Sequence, residues 1–190
     1  MEAWTLTESH IRRAHQAVGT PAIEFFHGFL ERNEFELAAD VLVDFGAHSE
    51  ELPVAFWDAL QSAYATMKLP NKATHCSFRR YQTKYGFVEA HLIRCAVGDG
   101  GTASTITTGY CPNWNIGRRV ESGEVELNSA YISIECGPSI AAGGTGLVRL
   151  HPLKSELWTH VLPGAELIMH EGARVVGKAI VQRVALRRRP

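Results

Sequence analysis

The sequence lacks any long apolar run, and its apolar stretches fall far short of the roughly 20 residues that a membrane-spanning helix needs. Its first residues include neither the basic segment nor the apolar core of a signal peptide. These two absences lead us to expect a cytoplasmic protein that does not associate with membranes.

Paired cysteines are also missing. Cys76, Cys95, Cys111 and Cys136 are far apart and form no C-x-x-C motif, which argues against a zinc ribbon and a dithiol redox site. The nine histidines are scattered singly, without a metal-binding pair on a convincing helix. We therefore expect reduced thiols, no metal site and no cofactor.

The common catalytic motifs are absent too, including G-x-S-x-G, H-E-x-x-H and G-x-G-x-x-G. Residues 172–179 match the phosphate-binding pattern G-x-x-x-x-G-K-[ST] except at the last position. There Ala179 lacks the hydroxyl that would bind Mg²⁺, and β-branched residues follow where a helix is required. We expect a strand, a turn and a strand in this segment, and no enzymatic activity.

Charge is present but unevenly distributed, although the net charge is only −1. Residues 1–70 carry four Lys or Arg and eleven Asp or Glu, a net charge of −7. Residues 71–190 carry 15 basic and nine acidic residues, a net charge of +6. This asymmetry favours two units with different partners, although two halves that attract only each other would show the same pattern.

Helical periodicity dominates the first 70 residues. Apolar side chains recur at helical spacing in residues 7–18, 21–30, 34–45 and 53–67. Thr7 is the predicted N-cap of the first of these segments. Each segment has one apolar face, which predicts an acidic four-helix bundle over residues 1–70. The polar and basic stretch that follows predicts a linker over residues 71–86.

Beyond the linker, short strands alternate with turns that contain Gly or Pro. Residues 87–95 and 102–108 flank a glycine-rich turn, which predicts a hairpin. Further strands are predicted at residues 131–136, 147–150, 166–170 and 175–184. The sequence thus predicts an α+β protein of two units, in which an all-β barrel of Greek-key type over residues 87–184 follows the bundle and a basic tail occupies residues 185–190.

Four segments of the β half resemble a known barrel. They are Phe-Val-Glu-Ala-His-Leu from residue 87 with Asp-Gly-Gly at 99–101, Gly-Tyr-Cys-Pro-Asn at 109–113, Leu-His-Pro-Leu at 150–153, and Glu-Gly-Ala-Arg-Val-Val-Gly at 171–177. In this order they are similar to the opening strand and hairpin, the Gly-Tyr-Arg-Pro-Gln turn, the Ile-His-Pro-Ile strand and the Glu-Gly-Gly-Arg-Thr-Val-Gly hairpin of the C-terminal barrel, domain III, of translation elongation factor Tu. The resemblance spans about half of the chain.

That resemblance implies a binding module separated from the GTPase domain, and a translation component, either tRNA or a translation-factor protein, as its partner. The candidate binding residues, including basic residues nearby that would contact phosphates, are Gly109, Tyr110, Cys111, Asn113, Arg118, Arg119, Gly172, Arg174 and Lys178. The family has Arg, Gln and Gly where this chain has Cys111, Asn113 and Ala173.

The helical half bears a second, less specific resemblance. Residues 29–42 and 53–69 are similar to small acidic helical immunity proteins of bacterial toxin systems, and acidity suits a basic partner such as a nuclease toxin. Two hypotheses follow: a non-catalytic translation-associated adaptor, and an immunity or antitoxin protein that acts through its acidic helices. An enzyme with a new site would require convergent polar residues in a cleft.

Overall fold

The chain has a helical part followed by a β part. The computed structural model describes residues 3–49 and 52–187, and the chain divides into two compact units, Met1–Lys84 and Tyr85–Pro190. The expected α+β fold with a helical unit before a barrel is confirmed. Within the described ranges, no helix is long and apolar enough to cross a membrane. Residues 188–190 of the predicted basic tail lie outside the described residues.

The helical part contains five helices within the described ranges. They are α1 (Ala3–Ala17), α2 (Phe26–Glu31), α3 (Phe35–Ala47), α4 (Val54–Thr66) and α5 (Pro70–Tyr85). Helix α1 packs against α4, and α2 packs against α3. Their apolar faces enclose a core in which Ile11, Leu42, Phe56 and Leu60 are inaccessible to solvent. Burial of these faces is the main source of helix stability in a bundle.

The linker predicted over residues 71–86 is helical instead. Pro70 stands at the first position of α5, where its missing N–H costs nothing, and no glycine interrupts the helix before Gly86. Cys76 is fully buried in the helical core, and burial raises the pKa of its thiol to about 12. The polar composition of α5 concealed this narrow apolar face.

Helix α5 changes the distribution of charge between the units. Residues 1–84 carry eight basic and eleven acidic residues, a net charge of −3, and residues 85–190 carry eleven basic and nine acidic residues, a net charge of +2. The difference in net charge that suggested different partners is therefore much smaller between the two observed units than between residues 1–70 and 71–190.

Two predicted helix starts also differ from the observed ones. Helix α1 begins at Ala3, so Thr7 lies inside it and donates its hydroxyl to the Ala3 carbonyl at 2.9 Å rather than capping the N-terminus. Helix α2 begins at Phe26 instead of residue 21. Thr20 and Phe25 adopt φ angles of 51° and 63°, which a right-handed helix cannot contain.

The β part contains a closed antiparallel barrel. Its strands are β1 (Val88–Arg94), β2 (Ile106–Thr107), β3 (Asn113–Arg119), β4 (Val125–Ile134), β5 (Ser139–Ile140), β6 (Thr145–Pro152), β7 (Glu166–Glu171) and β8 (Arg174–Val184). Six of them close in the order β1-β6-β4-β3-β7-β8, while β2 and β5 form a separate pair. Because β3, β4 and β6 form a meander and β1 lies beside β6, the first four barrel strands have a Greek-key arrangement.

The barrel interior is filled by side chains from alternate positions. Val88, Ala90 and Leu92 of β1 point inward and are inaccessible to solvent, as are Trp114 of β3 and Trp158 in the β6–β7 connection. A small barrel of this kind is a packed core rather than a channel.

The hairpin predicted between residues 87–95 and 102–108 is wrong. Strand β1 pairs with β6 on one side and with β8 on the other, so both of its edges are occupied by distant strands. Of the second predicted strand only Ile106–Thr107 is extended, and it pairs with β5. Strand β3 was missed because Asn113, Asn115 and Arg118 obscure its two inward apolar residues.

The hairpin expected at residues 171–177 is present. Strands β7 and β8 are antiparallel, with Glu171 opposite Arg174 and Gly172 at a φ of 59° in the turn. The segment that mimics a phosphate loop is therefore a strand, a turn and a strand, as predicted.

Closure of the barrel brings its first and last strands together at Gly86. Phe87 and Ala185 exchange two backbone hydrogen bonds of 3.3 and 2.9 Å. Gly86 has a φ of 79°, and a Cβ atom at this position would lie 1.9 Å from the Ala185 carbonyl oxygen. Only glycine meets both requirements without displacing the closing strand.

We expect Gly86→Ala to destabilise the protein by about 3 kcal/mol, because it combines backbone strain with a clash against main chain. Urea unfolding measures the effect. Gly98→Ala is the matched control, since no atom lies within 4 Å of a Cβ there and its φ is not in the left-handed region; its stability should stay within about 0.5 kcal/mol of wild type. Equal stability of the two variants would contradict the role assigned to Gly86.

Candidate binding surface of the barrel

Two turns that are distant in sequence meet at one end of β3. Asn113 at the start of β3 pairs with His170 at the end of β7, which places residues 109–113 beside the β7–β8 turn. The Tyr110 hydroxyl donates a hydrogen bond to Glu171 Oε1 and joins the turns directly. We call residues 109–113 together with 171–174 the two-turn surface. It unites six of the candidate residues: Gly109, Tyr110, Cys111, Asn113, Gly172 and Arg174.

Arg94 supports this surface from inside the barrel. It is the last inward residue of β1 and is only 2% exposed. Its Nη1 donates to the Ser104 and Ile140 carbonyls at 2.7 and 3.0 Å, and its Nη2 donates to the Thr102 carbonyl and hydroxyl at 3.3 and 3.2 Å. Arg94 therefore fixes the loop before β2 and ties it to β5.

Thr102 connects Arg94 to the two-turn surface. Its hydroxyl lies 3.5 Å from Glu171 Oε1, the oxygen that also accepts the Tyr110 hydrogen bond. Sequence reasoning missed both Arg94 and Thr102. A cation at an inward position of an alternating strand was the available signal, because such a charge requires many hydrogen-bond partners.

Two titratable groups of the surface, the Tyr110 phenol and the Cys111 thiol, are held in their neutral forms. Burial and the hydrogen bond to Glu171 raise the pKa of the Tyr110 phenol, so it stays protonated at neutral pH. Partial desolvation raises the pKa of the Cys111 thiol, which leaves little thiolate to act as a nucleophile.

Three other candidate residues are not brought to the two-turn surface. Arg118 and Arg119 lie at the opposite end of β3, where Arg118 pairs with Glu126 at 2.8 Å and Arg119 donates to the Gly123 carbonyl at 2.6 Å. Lys178 lies within β8 and pairs with Glu166 at 2.7 Å. Each of these cations already has a partner within the barrel.

Arg174 differs from those cations. It is exposed at the start of β8, directly after the β7–β8 turn. In the part of the chain that the structure describes, its guanidinium has neither an ion pair nor a hydrogen bond. Arg174 is thus the basic side chain of the two-turn surface that is available to an anionic group.

A serine–histidine pair elsewhere in the barrel was not anticipated. The Ser133 hydroxyl and His151 Nε2 lie 2.9 Å apart, but the side chains are only 6% and 0% exposed. Glu135 approaches the Ser133 hydroxyl at 3.3 Å rather than orienting the imidazole as in a catalytic triad. Across residues 3–49 and 52–187, no group of three or more His, Cys, Asp or Glu side chains is placed to hold a metal ion.

No protein-family model matches the chain, and no curated protein matches it in sequence. The closed six-strand antiparallel barrel is compatible with the barrel that the sequence resembles. The resemblance to one particular barrel family rests on the four sequence segments alone.

We expect Tyr110→Phe to destabilise the barrel by about 1 to 2 kcal/mol, because the partly buried Glu171 carboxylate loses a hydrogen-bond donor. Glu171→Gln keeps an acceptor oxygen and should cost less. Because the folded pKa of Tyr110 is raised, its contribution is complete below pH about 10 and is lost as the pH rises through the folded value. The urea concentration at the midpoint of unfolding should therefore decrease when the pH rises above about 10, and the decrease should be smaller in Tyr110→Phe. Identical alkaline profiles of the two proteins would contradict the role assigned to the Tyr110 hydroxyl.

Proposed function

We propose that this protein is a non-catalytic adaptor whose barrel, resembling domain III of elongation factor Tu, docks a translation component on the two-turn surface. The partner is tRNA or a translation-factor protein. The adaptor holds this partner and does not act on it chemically.

One observation carries the proposal. The segments 109–113 and 172–174, which the resemblance assigns to partner binding, are far apart in sequence. The Tyr110–Glu171 hydrogen bond and the Asn113–His170 pairing bring them together. The network from Arg94 through Thr102 supports Glu171 from the interior. A preorganised surface loses little conformational entropy on binding, which favours recognition by a rigid partner.

The chemistry of the surface limits its contact with RNA to a small number of phosphates. Arg174 is its available cation, and Gly172 exposes backbone at the adjacent turn. Cys111 replaces the family's Arg and removes a bidentate phosphate contact. We therefore expect RNA affinity to be modest and steeply dependent on Arg174.

The direct test is fluorescence anisotropy with a labelled minihelix that represents the acceptor and T arms of tRNA, measured over a series of salt concentrations. Arg174→Ala should weaken binding and lower the slope of log K against log salt by about one, because one phosphate contact is lost. Lys178→Ala is the matched control on the same strand: it lies four residues from Arg174, outside the two-turn surface, so affinity should change less than about twofold.

A second experiment tests for a protein partner. It is a pull-down from a cell lysate, followed by sequencing of the bound RNA and identification of the bound proteins. Recovery of a translation protein that is lost with Arg174→Glu would support a protein partner. Absence of minihelix binding, together with recovery of neither tRNA nor a translation protein, would sink the proposal.

A second candidate function is favoured by the composition of α3. This helix contains Glu36, Asp40 and Asp44 and no basic residue, and Lys72 of α5 offsets only part of this negative charge. Such an acidic helix suits an immunity protein that neutralises a basic toxin, as the weaker resemblance of the helical half implies.

If the protein is an immunity protein, its gene should lie beside a toxin gene, and co-expression should restore growth of cells that make the toxin. Charge reversal by Asp44→Lys should reduce that protection, because it places a like charge against the basic partner. A solitary gene, or a neighbouring toxin whose effect is unchanged by co-expression, would count against this function.

A further inference from the structure

The helical unit has an apolar groove at one end of the bundle. It has a volume of about 520 Å³ and lies between the start of α1, the start of α3 and the end of α4. Its apolar lining includes Trp4, Phe35, Leu37 and Met67, with the Trp4 and Phe35 ring centroids 6.1 Å apart. We call this the α1–α3 groove. Its volume is in the range of sites that accept large side chains or ligands of similar size.

Two of its apolar side chains are exposed more than core packing requires. Trp4 is 65% exposed and Leu37 is 47% exposed, while Phe35 beneath them is buried. A single exposed apolar residue is ordinary on a protein surface, but an exposed Trp and Leu around one concavity form a contiguous patch. Covering them would remove apolar area from water and favour association.

Acidic side chains continue from the groove along α3. Glu34 and Glu36 line the groove, and Glu36, Asp40 and Asp44 recur at four-residue intervals, about 6 Å apart along the helix. Lys72 contacts Glu36 at 2.7 Å and Asp40 at 2.6 Å, so one ammonium is shared by two carboxylates.

The acidic side of α3 therefore keeps an uncompensated negative charge. Burial lowers the pKa of Lys72, but the hydrogen bonds that its ammonium donates to Asp40 and Glu36 outweigh burial and raise this pKa, so the cation stays charged and engaged at neutral pH. Among the described residues the Asp44 carboxylate has no ion pair. Both Asp40 oxygens are occupied, because Tyr64 and Lys72 donate hydrogen bonds to them. A cation of a partner would thus meet available carboxylate oxygens at Glu36 and at Asp44.

We propose that the α1–α3 groove and the acidic side of α3 together dock a basic amphipathic segment of a partner protein. A large apolar side chain of that segment enters the groove beside Trp4 and Leu37. Its Lys or Arg residues, spaced two helical turns apart, lie against Glu36 and Asp44. Charge complementarity selects this occupant, since carboxylates at the rim repel an anionic ligand. The inference is independent of the two-turn surface.

The test uses the full chain and a synthetic, Trp-free amphipathic peptide of about five helical turns, with Leu and Phe on one face and Lys at four-residue intervals. Trp4 is a selective reporter, because the other tryptophans, Trp57, Trp114 and Trp158, are 3%, 0% and 0% exposed. Binding should shift the Trp4 emission to shorter wavelength and protect it from acrylamide.

Variants separate the two contributions. Leu37→Ala removes an exposed anchor and should weaken peptide binding about tenfold without unfolding the bundle. Asp44→Asn should weaken it several-fold and reduce its salt dependence. Leu162→Ala is the matched control, because Leu162 is 66% exposed in the other unit, and its affinity for the peptide should equal that of wild type.

Three results would overturn the inference. One is equal binding of a peptide whose Leu and Phe are replaced by Ser, which would reduce the interaction to charge alone. Another is peptide binding that leaves acrylamide quenching of Trp4 unchanged. The third is no detectable binding of the basic peptide. Since RNA binding by the barrel is measured separately with Arg174→Ala, failure of either proposal leaves the other intact.

Discussion

Pairing of the first barrel strand with the last is the constraint on which the rest of the barrel depends. Strand β1 lies between β6 and β8, and the backbone exchange between Phe87 and Ala185 extends this closure to Gly86. Every intervening strand must return to a position fixed by these distant pairings. The two-turn surface is one result of this closure, because β3 pairs with β7 only within the closed ring. Contacts of such high sequence separation are expected to form slowly during folding.

Local patterns predicted the elements whose partners are also local. The β7–β8 hairpin and the apolar faces of α3 and α4 could be predicted from sequence because turn chemistry and helical period determine them. The predicted hairpin after β1 failed because distant strands occupy both edges of β1. Helix α5 was missed because its buried face is narrow. The two turns could be located by resemblance, whereas the support from Arg94 depends on carbonyl oxygens that only the folded loop brings together.

The charge that can reach a partner is smaller than the formal charge suggests. Many barrel cations are engaged within the fold: Arg118 with Glu126, Lys178 with Glu166, and Arg94 with interior carbonyls. Among the described residues, Arg174 has no ion pair or hydrogen bond of this kind. The anionic contact expected at the two-turn surface is therefore limited to this side chain. The opposite situation holds on α3, where one Lys72 is shared between two carboxylates and Asp44 has no cation in the described part of the chain. Availability of a charge, rather than its count, decides which partner a surface attracts.

Closure of the barrel also limits how it can recognise another protein. Many modules bind an extended peptide by adding it as a strand to an open sheet edge, where unpaired amide and carbonyl groups are ready to form a ladder. In this barrel each of the six strands is already hydrogen-bonded on both sides. A partner that binds these six strands must therefore be held by side chains and turns, so recognition there depends on the identity of a few surface residues instead of on main-chain complementarity; the separate β2–β5 pair is not part of this closed ring.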